Sequence, residues 1–94
     1  IGQDFVPGNL DLTLIDDVVQ VSDADSVETA KDLLGKEAMF VGSSSGCIVF
    51  AALEYCHRMG GEGKTVVAVL PDGGRGYVST IYNADWLKQK LCAQ

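Results

Sequence analysis

Thr65-Val-Val-Ala-Val-Leu70 is apolar at every position after its threonine and is cut off by Pro71-Asp72-Gly73-Gly74. A strand with one face in water alternates polar and apolar side chains. An unbroken apolar run needs cover on both faces, as in a parallel sheet flanked by helices. Two further segments fit that frame. Ile15-Asp-Asp-Val-Val-Gln-Val21 is β-branched and stops at a Ser-Asp turn signal, which predicts a strand, and Ala38-Met-Phe-Val41 is a short apolar run feeding directly into Gly42-Ser-Ser-Ser-Gly46. Between them, Ser22 followed by Asp25 resembles a capping box, and Val27, Ala30 and Leu34 repeat at helical spacing up to Gly35, where the helix is expected to end. A second helix is predicted from Cys47 to Met59, apolar on every side in its first two turns and stopped by Gly60-Gly61. Asn83 is a suitable N-cap for a short third helix from Ala84 to Leu91. The pattern predicts an α/β fold with a mostly parallel sheet.

The chain has 94 residues, 47% of them apolar and 21% charged. That allows one small domain and is too little for a two-domain enzyme with an internal cofactor site. A net charge of −6 with scattered Lys and Arg offers no basic stripe for nucleic acid. No apolar run reaches the length of a membrane helix, and the expected location is the cytoplasm. Cys47, Cys56 and Cys92 are odd in number and widely spaced, which predicts reduced thiols and no metal site. His57, the single histidine, falls near the polar end of the second helix and is expected at the surface.

In an open parallel sheet, ligands settle beyond the carboxyl ends of the strands. Two glycine-rich loops are expected on that edge, residues 42–46 and residues 71–76. The first leads into a helix N-terminus, where free N–H groups and serine hydroxyls make a candidate anion site; a merely well-capped helix is the plainer alternative. The loop lacks the G-K-[ST] ending of a P-loop and the spacing of a dinucleotide fingerprint. It matches the five letters of an esterase elbow, but His57 lies only eleven residues on in the same helix, so a nucleophilic serine is not expected.

Four stretches, in order and in register across nearly the whole chain, resemble the pyridoxal-phosphate-dependent cysteine synthase and cystathionine β-synthase family. Ile1-Gly2-Gln3-Asp4-Phe5-Val6-Pro7 is similar to the end of its E-G-I-G-x-D-F-x-P segment, and Ile15 to Asp23 to its I-D-E-V-x-x-V-S-D stretch. Phe40-Val-Gly-Ser-Ser-Ser-Gly46 resembles its V-G-x-S-S-G loop, and Val69-Leu-Pro-Asp-Gly-Gly-Arg-Gly-Tyr-Val-Ser-Thr80 its I-L-P-D-x-G-x-x-Y-x-S-T segment. The resemblance implies a three-layer α/β/α domain of the tryptophan synthase β-like architecture, fold type II, with residues 1–94 forming the C-terminal portion of the catalytic domain.

The resemblance also implies roles. Ser44 would hydrogen-bond the pyridine nitrogen of pyridoxal 5'-phosphate, with the phosphate held by another loop outside this chain. A neutral hydroxyl there, unlike a carboxylate, does not hold the ring protonated. Pro71 and Asp72 would border the cofactor ring, with Tyr77 following, and Gly2 and Gln3 would lie on the substrate side. No catalytic residue is expected within the chain, because Lys31, Lys36, Lys64, Lys88 and Lys90 all lack the Ser-x-Lys context of the family's Schiff-base lysine. The chain is therefore expected to be a piece of a longer enzyme, its partners being the N-terminal remainder, small amino-acid substrates and, for the parent, a second copy.

The implied reaction joins serine or O-acetylserine to a sulfur nucleophile. Asp4-Phe5 and Tyr82-Asn-Ala-Asp-Trp86 incline it toward homocysteine and cystathionine, and away from sulfide and cysteine. Two departures qualify the match. Gln3 stands where some cystathionine synthases carry tyrosine, and Cys47, Ile48 and Phe50 stand where relatives often carry alanine. Two rival readings from other classes are a stand-alone phosphate- or nucleotide-binding module and a catalytically inactive interaction domain.

Overall fold

A computed structural model describes residues 7–91. It has three helices, α1 (Asp23–Glu37), α2 (Ser43–Met59) and α3 (Ala84–Leu91), with 3-10 turns at Leu12–Leu14 and Gly74–Tyr77.

The caps account for where α1 begins and ends. The Ser22 side chain accepts from the Asp25 N–H at 3.1 Å, satisfying one of the first-turn donors. Gly35 does not end the helix. The chain runs to Glu37, and Ala38 takes the left-handed conformation at φ 55°. The N–H of Ala38 then donates to the Leu34 carbonyl and the N–H of Met39 to that of Leu33, both at 3.1 Å, which satisfies two carbonyls of the last turn. Since an L-residue there crowds its own Cβ, Ala38→Gly is expected to raise stability by up to about 1 kcal/mol. A denaturant midpoint at or below wild type would refute that.

The helix predicted from Cys47 instead starts at Ser43 and takes in the serines. It stops at Gly60, left-handed at φ 65°. The short terminal helix forms as expected, Asn83 accepting from the Trp86 N–H at 3.0 Å. Helices α1 and α2 pack against each other through small residues: Ser26 and Ala30 are fully buried on one, and Ser45 and Gly46 are buried on the other. A Cβ on Gly46 would lie 2.1 Å from the Ser26 carbonyl oxygen, so this contact is backbone against backbone. The core comprises Val27, Ala30, Val41 and Ile81, with Leu33, Leu70, Tyr77, Tyr82, Trp86 and Leu87 packed around it.

The expected mostly parallel sheet is not present among the described residues. No segment there forms a strand; the only β-type pairing is an isolated antiparallel bridge between Val41 and Gly73. A strand exists through its ladder of hydrogen bonds to a neighbour. Residues 15–21 and 65–70 have no such neighbour among the described residues, and their side chains are largely in solvent, with Val18 79%, Val67 83% and Val69 73% exposed.

Candidate functional site

The two glycine-rich loops do come together, though by the antiparallel bridge and not as ends of parallel strands. The Gly74 N–H donates to the Phe40 carbonyl at 3.0 Å, and the Gly42 N–H to the Asp72 carbonyl at 3.4 Å. These contacts set Asp72 beside the first turn of α2. Its carbonyl also accepts from the Ser45 hydroxyl at 3.4 Å. One carboxylate oxygen, Oδ1, accepts from the Ser44 hydroxyl at 3.4 Å, while the other, Oδ2, accepts from the Tyr77 hydroxyl at 2.7 Å. The bond to Asp72 raises the Tyr77 phenol above its ordinary pKa, with burial adding to it and a Ser43 contact opposing it.

Close approach is built in at Gly42. A Cβ there would meet Asp72 Oδ1 at 2.2 Å and Tyr77 Cε2 at 2.7 Å. Gly42 is the N-cap of α2 and, having no side chain, makes no cap bond. The serines therefore do not serve as the helix's cap, which removes the plainest explanation for three in a row. Beneath the loop, Tyr82 donates to the Val41 carbonyl, and its ring lies 5.0 Å from that of Phe40. Burial raises the Tyr82 phenol, the bond to Val41 opposing, so it stays a donor.

Of the residues singled out from the sequence, Ser44 and Asp72 are thus in contact. Pro71 is exposed, just after the apolar segment 65–70. Gly2, Gln3 and Cys92 lie outside the described residues. His57 is exposed, and Cys47 and Cys56 are free thiols, as expected. Ser45 and the Tyr77 hydroxyl were not anticipated as partners of Asp72; the available signal was a tyrosine five residues on, past a glycine-rich turn short enough to fold back.

A protein-family model described as pyridoxal-phosphate dependent enzyme matches residues 1–72. The chain belongs to that family. Its cofactor is pyridoxal phosphate. Over 94 residues the family member is 41% identical to cysteine synthase A of Salmonella typhi, covering 100% of this chain and 29% of that protein. It is 42% identical over 80 residues to cysteine synthase of Buchnera aphidicola subsp. Acyrthosiphon pisum, covering 85% of this chain and 25% of that protein. It also aligns with the crystal structure of an O-ureido-L-serine-bound mutant of O-ureido-L-serine synthase. There the TM-score is 0.77 with 32% identity, over 97% of this chain and 30% of that one. The chain thus spans less than a third of the length of these relatives.

The chain's own residues fit one edge of such a cofactor. Ser44 is half-buried, with its oxygen lone pairs not committed to any bond among the described residues, and stands at the N-terminus of a 17-residue helix. The Asp72 carboxylate stands beside that N-terminus, against the Ser44 hydroxyl. A phosphate brought to the same turn would meet that charge, so the serine loop suits a ring heteroatom better than an anion.

Proposed function

We propose that this chain forms the ring-nitrogen side of the cofactor site of a β-replacement synthase of the cysteine synthase type. Ser44 would hold the pyridine nitrogen, with Asp72 and Pro71 bordering the ring and Gly2 and Gln3 on the substrate side. The observation that carries the reading is the Asp72 carboxylate at the α2 N-terminus in contact with Ser44. It also weighs against the phosphate-module alternative.

When bound, pyridoxal phosphate supplies an electron sink that lets an amino acid lose and replace a substituent on its β-carbon. The work of this chain is to orient the ring. The Gly42 and Asp72 backbones fix the loop, and the Ser44 hydroxyl would meet one ring heteroatom. The remainder of a longer enzyme chain would supply the Schiff-base lysine and the phosphate loop, completing the three-layer sheet against the exposed valines of residues 65–70. Such an enzyme would act as a homodimer in the cytoplasm. The relatives named above are cysteine synthases, which favours serine or O-acetylserine with sulfide, giving cysteine, over homocysteine, giving cystathionine.

The test is made on the full-length protein that carries this chain. It should show a visible cofactor absorbance that borohydride abolishes, and form cysteine from O-acetylserine and sulfide. Absence of the cofactor band would overturn the reading; cystathionine as the main product would overturn the choice of nucleophile. Ser44→Ala removes one hydrogen bond, about 1 kcal/mol, so cofactor affinity should fall about fivefold. An unchanged dissociation constant would exclude Ser44 as the nitrogen's partner.

A further inference from the structure

The peptide unit joining Val41 to Gly42 is planar and trans, so its C=O and N–H point in opposite directions. Its N–H donates to the Asp72 carbonyl at 3.4 Å, and its C=O accepts from the Tyr82 hydroxyl. One rigid plane is thus held at both ends, immediately before the serines. Val41 is only 6% exposed, so little water reaches its carbonyl to take the place of that hydroxyl. Tyr82 acts from a fixed base. Its own N–H donates to the Tyr77 carbonyl at 3.3 Å, Ile81 before it is buried in the core, and its ring stands 5.0 Å from that of Phe40 at a tilt of 56°, a favourable aromatic geometry.

We propose that Tyr82 is a positioning residue for the cofactor site: its hydroxyl fixes the Val41–Gly42 peptide plane, and with it where the serine loop begins and where Ser44 stands. This rests on the reading that Ser44 faces the cofactor ring. The lever is short. Val41 lies three residues before Ser44, and Gly42 between them has no side chain that could take over the anchoring. Without the Tyr82 hydroxyl the Val41 carbonyl must turn toward another donor, and the whole plane turns with it. The Gly42 to Asp72 bond at the other end, already long at 3.4 Å, is too weak to resist that rotation. The Tyr82 ring by itself touches Phe40 and does not hold the plane.

The experiment uses the full-length protein that carries this chain, freed of cofactor and titrated with pyridoxal phosphate, with the visible circular dichroism of the bound ring recorded at saturation. Tyr82→Phe keeps the ring against Phe40 and removes only the hydroxyl. Affinity is expected to fall about threefold to fivefold, the scale of one lost hydrogen bond, and the dichroic signal to change. Leu87→Ala, an apolar core position on the same stretch of chain, is expected to lower the urea midpoint and leave affinity and signal as they were. The pair separates positioning from stability. Wild-type affinity and signal in Tyr82→Phe overturn the proposal, as does an equal weakening in Leu87→Ala. Should Tyr82→Phe not fold, Phe40→Leu decides: it leaves the hydroxyl but removes the ring that Tyr82 leans on, so weaker binding is expected and wild-type affinity overturns the proposal. In each case bound cofactor leaves the proposed function standing. Failure of the unaltered protein to bind pyridoxal phosphate overturns both.

Discussion

Gly46→Ala is expected to destabilise the protein by about 2 kcal/mol, although alanine favours a helix over glycine by about 1 kcal/mol. The reason is what the new methyl would strike. Its ideal position is 2.1 Å from the Ser26 carbonyl oxygen and 3.0 Å from both the backbone nitrogen and Cβ of Ala30. Two of these atoms are α1 backbone and the third is an alanine Cβ, so no rotamer change can clear them. The helices must instead move apart by about an ångström, which loosens contacts along the whole shared face. Ser26 and Ala30 are fully buried there, and water gains nothing by entering. Gly35 provides the control within the same pair of helices. Nothing lies within 4 Å of its Cβ position, so Gly35→Ala should raise stability by about 0.5–1 kcal/mol. Urea denaturation of both variants decides it. If Gly46→Ala gains stability as Gly35→Ala does, α1 and α2 do not meet at Gly46.

The helices were legible because their determinants are local. Ser22 and Asn83 cap where their side chains can reach an N–H three residues on, and Gly60 stops α2 because it can take a positive φ. The errors at helix ends have equally local causes. Ala38 takes a position normally given to glycine, and the serines after Gly42 enter the helix because Gly42 needs no side chain to begin one. Strands are different: apolar, β-branched runs state what a segment is fit to pair with, and pairing requires a neighbour. Residues 65–70 have no such neighbour among the described residues and stay largely in solvent, whatever their apolar character. The candidate site was half legible. The family resemblance brought Ser44 and Asp72 forward, but contact between them depends on how residues 72–77 fold back, and no pattern along the chain encodes the 2.7 Å bond from Tyr77 to Asp72.

The same logic, applied to side chains, gives Gly42→Ala a different signature. The backbone there, at φ −82° and ψ 176°, suits alanine, so no conformational strain arises. The added Cβ would lie 2.2 Å from Asp72 Oδ1, 2.7 Å from Asp72 Cγ and 2.7 Å from Tyr77 Cε2. Two of the three atoms sit on the exposed Asp72 side chain, which can swing aside, and the third on the half-buried Tyr77 ring at the edge of the core, so the loss of stability should stay near 1 kcal/mol. Swinging aside is what the site cannot tolerate. Asp72 cannot leave Gly42 without giving up either the Tyr77 hydroxyl or the Ser44 hydroxyl, and with them the orientation of the group proposed to meet the cofactor. Pyridoxal phosphate affinity is therefore expected to drop tenfold or more, the equivalent of about 1.4 kcal/mol lost from binding alone. Cofactor titration and urea denaturation on the same variant separate the cases. Weak binding with a near-native midpoint places the defect in the Ser44, Asp72 and Tyr77 cluster. Unchanged affinity would mean that the carboxylate does not prepare the site, and a midpoint falling as far as that of Gly46→Ala would make Gly42 a structural contact like the one between the helices.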